Sequence, residues 1–260
     1  MIGIFDSGVG GLTVASAIHQ LAPRADILYF GDLANAPFGS KSSDELFCIT
    51  MHAMQFLRSK GATEIVAACN SVSVSVIRPM TKAFGIQGTH VIEMVEPAAR
   101  SLAKLNPKKI LVIATEATVR SGIYLETFSV YGLKAEMMAI PKLATAIEEG
   151  ESTDVIEQMI FPVVQQVIAS KADTLVFGCT HYPFARPIFE KLFAEQNHPI
   201  RFFDPSIAVA EETIRMFDTK GSGLRKFFVS KSSSVFENAV QTFFGKSGVV
   251  EVLENSILQQ

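Results

Sequence analysis

Ile65-Val66-Ala67-Ala68-Cys69-Asn70-Ser71 and Thr174-Leu175-Val176-Phe177-Gly178-Cys179-Thr180-His181, whose cysteines stand 110 positions apart, follow one plan. Each is a short β-rich run that ends in a cysteine followed by a small hydroxyl or amide residue. Working outward, similar runs occur at Ile2–Phe5, Ile27–Phe30, Thr89–Ile92, Ile110–Ala114 and Arg201–Phe203. Stretches of helical length and period separate them: Leu12–Leu21, Ser43–Ser59, Pro97–Leu105, Val119–Tyr131, Thr153–Ser170 and Phe184–Phe193. Strands alternating with helices predict an α/β fold with mostly parallel sheets. The runs are nearly all apolar, as required when helices cover both faces of a sheet. The two cysteine-ended runs further predict two similar α/β domains related by a pseudo-two-fold. Each would aim one thiol at the crevice between them. Ligands in such sheets bind beyond the carboxyl ends of the strands, so the residues just after each run are where function is sought.

The rest of the 260-residue chain narrows the function classes. Hydrophobic residues make up 48 % and charged residues 19 %, with a formal net charge of −3. This mix supports a folded core and lacks the basic face that nucleic acid or an anionic membrane would demand. The start, Met1-Ile2-Gly3-Ile4-Phe5, has no basic segment followed by an apolar one. No signal peptide or membrane span is therefore expected, and the expected location is the cytoplasm. Three cysteines, Cys48, Cys69 and Cys179, are too few and too scattered for a disulfide framework or a paired-cysteine zinc site. Cys48, mid-way along a helical pattern, is read as packing.

Asp6-Ser7-Gly8-Val9-Gly10-Gly11 follows the first run. Its glycines invite a dinucleotide reading, with Asp32 near the place of a ribose-binding acid. Thr13 stands at the third glycine position, however, and Asp6 brings a negative charge that repels a pyrophosphate. The loop better suits an amino acid. The Asp6 carboxylate can meet an ammonium, and the Ser7 hydroxyl and backbone N–H groups can meet a carboxylate. Asn70, Ser71 and Ser73 sit where a helix should begin, a position that lowers the pKa of Cys69. His181, two residues after Cys179, can tune that thiol or stabilise its thiolate. His19, His52, His90 and His198 have no visible partner, and no lysine, Lys142 included, announces a pyridoxal phosphate site.

Two thiols answer a specific chemical need. Inverting a stereocentre without a cofactor takes a base on one face of the carbon and an acid on the other. The pair must hold unlike protonation states, set by different neighbours. A Cys–His hydrolase with an acyl intermediate and a non-catalytic amino-acid-binding protein remain alternatives at this point.

The motifs carry a resemblance. Phe5-Asp6-Ser7-Gly8-Val9-Gly10-Gly11-Leu12-Thr13-Val14, Cys69-Asn70-Ser71 and Gly178-Cys179-Thr180-His181-Tyr182-Pro183 resemble signatures of bacterial glutamate racemases, in the cofactor-independent aspartate/glutamate racemase superfamily. Gly31-Asp32, Pro37-Phe38-Gly39, Glu96-Pro97, Thr115 with Thr118, Ser121 and Tyr124, Asp204-Pro205-Ser206 and Phe228 to Phe236 fall in the same order, so the likeness spans nearly the whole chain. It implies interconversion of L- and D-glutamate for peptidoglycan precursors with no cofactor and no metal. Cys69 and Cys179 would be the acid/bases, assisted by Asp6, His181 and Glu148. Asp6, Ser7, Pro37, Phe38, Gly39, Cys69, Asn70, Ser71, Thr180 and His181 would bind the substrate. It also implies a first domain of residues 1–94 and 206–260 and a second of residues 95–205, and it allows a homodimer. Phe38 stands where the family has tyrosine, Ser71 where it has threonine, and Val72-Ser73-Val74-Ser75 where it is alanine-rich. The stretch before Glu148 also departs from the family pattern. These departures bear on substrate preference, glutamate against aspartate or another small acid, more than on the reaction.

Overall fold

The computed structural model describes residues 1–84, 90–245 and 248–253. It contains two parallel sheets. The first has the order β10-β9-β2-β1-β3-β4, formed by β1 (Ile2–Asp6), β2 (Ile27–Gly31), β3 (Glu64–Ala67), β4 (Val91–Ile92), β9 (Arg225–Val229) and β10 (Val250–Val252). The second has the order β6-β5-β7-β8, formed by β5 (Ile110–Ala114), β6 (Ala135–Ala139), β7 (Thr174–Gly178) and β8 (Arg201–Phe203). Taken as second, first, third, fourth, the block β2-β1-β3-β4 repeats as β6-β5-β7-β8. The strand that precedes Cys69 is thus the topological counterpart of the strand that precedes Cys179. In each block the chain reverses its direction of winding beside the first strand, which leaves a crevice at the carboxyl ends of the first and third strands.

Alternate side chains of each strand enter separate cores, so both faces of each sheet are covered. Ile2 and Ile4 of β1 join one cluster with α1 (Leu12–Leu21), while Phe5 joins another with Leu57 of α2 (Ser43–Ser59). In the second sheet Leu111 and Ile113 pack on one side, with Val164 of α9 (Thr153–Ser170), and Ile110 and Val112 on the other. This two-sided burial explains the unbroken apolar runs in the sequence.

The boundaries differ from expectation where a local interaction overrides the pattern. Helix α5 runs Val95–Ala103 instead of Pro97–Leu105, because the buried Glu93 carboxylate accepts from the N–H groups of Val95 and Glu96 and starts the helix early. The single helix expected over Val119–Tyr131 is two, α6 (Glu116–Ser121) and α7 (Ile123–Val130). They are separated by Gly122, whose φ of 67° no α-helix accommodates. A 3₁₀ turn, Tyr182–Ala185, precedes α10 (Arg186–Glu195), moving that helix two residues beyond the expected Phe184–Phe193. The sequence pattern does not predict strands β6, β9 and β10 or helices α8 (Leu143–Glu149), α11 (Pro205–Met216) and α12 (Ser234–Phe244), which the structure contains. β6 reads Ala-Glu-Met-Met-Ala, poor strand formers whose pairing with β5 supplies the stability. Of the expected strand Thr89–Ile92, Thr89 lies outside the described residues and Val91–Ile92 forms β4. Cys48 is exposed on α2, which corrects its reading as a packing residue; among the described residues it joins no core cluster.

Candidate active site

The carboxyl ends of the two sheets border a single cleft of about 930 Å³, large for one amino acid and within the range of small-molecule sites. Cys69 and Cys179 both line it, and each is about 5 % exposed. Ser7, Pro37, Phe38, Gly39, Asn70, Ser71, Glu148, Thr180 and His181 line it as well. Of the expected site residues, Asp6 alone is absent from the lining; it is fully buried behind it.

β7 delivers Cys179, and the turn after it brings His181 back against the sulfur, with Nδ1 at 3.9 Å from Sγ. The opposite ring nitrogen, Nε2, meets Glu148 Oε2 at 2.5 Å. Glu148, near the end of α8, reaches past the histidine to the first sheet, where its carboxylate accepts from the Val9 N–H at 2.9 Å. Burial by itself would lower the imidazole pKa. The bonds to Cys179 and Glu148 and the negative charge of both outweigh it and hold the pKa well above the usual value. The imidazolium form of His181, between a sulfur and a carboxylate, is therefore the favoured one.

The glycine loop acquires its meaning from this contact. A Cβ on Gly8 would lie 2.0 Å from Glu148 Oε2, and one on Gly10 would lie 2.4 Å from Thr180 Oγ1 and 2.6 Å from His181 Nδ1. The glycines let the loop after β1 touch the turn that follows β7 in the second sheet. Three of the loop N–H groups expected to meet a carboxylate ligand meet carboxylates of the protein itself. Gly11 and Gly8 donate to Asp6 Oδ2 at 2.7 and 3.3 Å, and Val9 donates to Glu148, so three donors are already taken by buried carboxylates. Asp6, expected to meet a ligand ammonium, lies buried behind the lining. Its oxygens face these amides and the Thr180 hydroxyl, at 3.4 Å. Burial raises the pKa of Asp6, and the charge on Glu148 adds to this, while His181 and the two amides oppose it.

Cys69 sits in a different setting. It caps the three-residue helix α3 (Asn70–Val72), which passes into a wide turn, Ser73–Ile77, and then α4 (Arg78–Phe84). The expectation of a lowered thiol pKa fails here. Burial and then the charge of Asp6 push the Cys69 thiol well above its ordinary value, against smaller opposing contributions from the Val72 and Ser71 N–H groups. Ser73 fixes this strand end. Its hydroxyl donates to the Cys69 carbonyl at 2.9 Å and accepts from the Met94 N–H at 3.1 Å.

Other polar ties join the cysteine turns to opposite sheets. Ser71 Oγ lies 3.0 Å from Thr115 Oγ1, which lies 3.1 Å from Thr118 Oγ1, and the Tyr124 hydroxyl donates to Asn70 Oδ1 at 2.6 Å. Phe38, which lacks a tyrosine's hydroxyl, is buried with its ring 6.0 Å from Phe5. The remaining histidines do not converge on the cleft: His19 contacts Arg225, and His198 packs on Phe193. Lys142 and Lys231 line the cleft. Among the described residues no three His, Cys, Asp or Glu side chains gather as metal ligands, and no helix is long and apolar enough to cross a membrane.

Comparison with known proteins places this geometry in context. The family model described as Asp/Glu/Hydantoin racemase matches residues 10–213. The chain is 34 % identical to the glutamate racemase of Desulforudis audaxviator, with 94 % of each covered. It superposes on a glutamate racemase isoform from Bacillus anthracis with a TM-score of 0.83 at 30 % identity, covering 98 % of this chain and 97 % of that one. The Aquifex pyrophilus glutamate racemase gives 0.79 at 31 % identity, covering 96 % and 97 %.

Proposed function

Because the chain belongs to the glutamate racemases of the Asp/Glu/hydantoin racemase family, we propose that it inverts glutamate at the α-carbon with Cys69 and Cys179 as the two acid/bases. It is an isomerase, and a small amino acid is its substrate. The observation that carries the mechanism is the presence of both thiols, each at the end of the equivalent strand of its own sheet, in the wall of one cleft.

Their surroundings differ. His181, its pKa raised, stands with Nδ1 3.9 Å from the Cys179 sulfur, which makes Cys179 the sulfur that acts first as base in this reading. Burial and Asp6 keep Cys69 a neutral thiol. In one direction the Cys179 sulfur takes the α-proton, the carbon becomes planar, and Cys69 delivers its proton to the opposite face. The enzyme is left with the reverse arrangement, a thiol at Cys179 and a thiolate at Cys69, which serves the opposite direction. Glu148 holds the imidazole by Nε2, and Asp6 sets the charge behind Cys69. Ser7, Pro37, Phe38, Gly39, Asn70, Ser71 and Thr180 hold the amino acid, with hydroxyl and amide donors for its carboxylates. The first domain comprises residues 1–94 and 206–260 and the second residues 95–205, the division that leaves one sheet in each. Use of the D-glutamate in peptidoglycan precursors, a cytoplasmic location and a homodimer belong to the same proposal and rest on family membership.

The test is proton NMR of L-glutamate with the purified protein in heavy water, followed in parallel by optical rotation. Loss of both the α-proton signal and the rotation is expected. Exchange with aspartate in place of glutamate would keep the mechanism and change the substrate. Exchange with neither would overturn the proposal.

A further inference from the structure

Asn70 is 2 % exposed and lines the cleft, and its amide is only half used. Oδ1 accepts the Tyr124 hydroxyl at 2.6 Å, whereas Nδ2 is buried and has no partner among the described residues. A buried NH2 group left unpaired is costly, so its place beside a cleft calls for a ligand acceptor. Asparagine can present either end, and what decides the end is Tyr124. That side chain is fully buried, does not line the cleft, and has Asn70 Oδ1 as the acceptor for its proton. Were the amide reversed, the tyrosine proton would be stranded and the amide oxygen would face an anionic ligand. We propose that Tyr124 is a positioning residue that commits the Asn70 oxygen and thereby presents the Asn70 NH2 to a carboxylate of the substrate. This rests on the amino-acid racemase reading given above.

The two residues come from opposite sides of the cleft, Asn70 from α3 after the first sheet's β3 and Tyr124 from α7 beside the second sheet. Two further bonds hold α7 on the first side, Arg78 Nη2 to Thr127 Oγ1 at 3.1 Å and Lys82 Nζ to Glu126 Oε1 at 2.6 Å. The ring of Tyr124 is packed edge-on against Phe128, 5.4 Å away, so its hydroxyl has little freedom. The donor is therefore oriented only while the two sides are together.

The experiment measures kcat and KM for both glutamate enantiomers in the wild type, Tyr124→Phe, Asn70→Ala and the double variant, with thermal midpoints alongside. Tyr124→Phe keeps the ring and removes the hydroxyl. Its KM should rise about tenfold with kcat within about threefold, the size of one well-placed hydrogen bond. The double variant should be no worse than Asn70→Ala. An unchanged KM in Tyr124→Phe, or effects that multiply in the double variant, would overturn the inference, whatever happens to the thermal midpoint. A second readout needs neither variant folding nor turnover. In 1H–15N spectra of the wild type, D-glutamate should shift the Asn70 side-chain amide pair, and an unmoved pair would overturn the donor role. Absence of wild-type racemisation counts against the proposed function alone, since the amide measurement is independent of it.

Discussion

Strands β3 and β7 occupy the same place in their two sheets and each delivers a cysteine to the same cleft, but what surrounds the two sulfurs is opposite in kind. Around Cys179 the turn supplies a protonated histidine held by Glu148. Around Cys69 it supplies only hydroxyl and amide groups, with the carboxylate of Asp6 behind it. A symmetric scaffold thus carries an asymmetric charge pattern. The proposed pairing of one acid with one base needs such an asymmetry, because two identical sites would share one protonation state.

The sharpest way to break the comparison is to remove either sulfur. Cys69→Ala and Cys179→Ala should each lower racemisation by at least about 10³-fold, assayed by circular dichroism of glutamate, while the far-ultraviolet spectrum stays native. A single positioned acid or base is worth about 10²–10⁴, and here inversion needs both. Each variant should retain slow α-proton exchange in heavy water with one enantiomer, and the two variants with opposite ones. Near-full turnover in either would end the two-base account.

His181→Asn should come next, at about 10²-fold in kcat/KM, with Glu148→Gln smaller. The equilibrium constant between enantiomers is one, so kcat/KM must fall equally in both directions. The separate kcat and KM values should diverge by direction, since only one direction begins with Cys179 as base. Identical changes in both would mean that His181 does not act through Cys179.

Stability against pH separates the two halves by window. The folded-state pKa of His181 lies above its usual 6.5. Its contribution is complete below that value and is lost as pH rises through the folded pKa. The Cys69 thiol is held above its usual 9.0, so its contribution is complete below 9.0 and is lost on further rise. Urea unfolding should accordingly show a shallower alkaline decline from neutral pH upward in His181→Asn, and only above about pH 9 in Cys69→Ala. The change in slope should be at most about 1.4 kcal/mol per pH unit for one proton. Coincident windows would erase the distinction drawn between the sulfurs.

The smallest effects lie at the far ends of the sheets. Asp26, before β2, accepts from the N–H groups of Ser222 and Leu224, and Asp173, before β7, accepts from those of Lys108 and Lys109. Although partial burial raises both carboxyl pKa values, these hydrogen bonds outweigh it and the net shift is downward. Asp26→Ala and Asp173→Ala should each cost about 1 kcal/mol and leave kcat unchanged. A change in kcat would show that these clamps reach the cleft.

The chain itself declared the parts of the fold that repeat. Helices Leu12–Leu21, Ser43–Ser59 and Thr153–Ser170 and strand Ile110–Ala114 match their expected limits, because strong periodicity or caps coincide with burial there. Arg225–Val229 and Ala135–Ala139 did not stand out. Their strand character comes from pairing with β2 and β5, which no local pattern encodes. The cleft residues were legible because each follows a strand. Their interactions were not, since Val9 to Glu148 spans 139 positions and Asn70 to Tyr124 spans 54.

By itself the sequence determined two thiols at equivalent strand ends, the apolar runs that make both sheets buried, and a glycine loop beside Asp6. These are properties of residues near one another in the chain, where period and turn chemistry act. Only the tertiary structure decided that the glycines serve close approach between the sheets, that Asp6 turns inward, and that the Cys69 pKa rises. Charge, burial and donor occupancy depend on which distant groups come within a few ångströms, and folding alone brings them there.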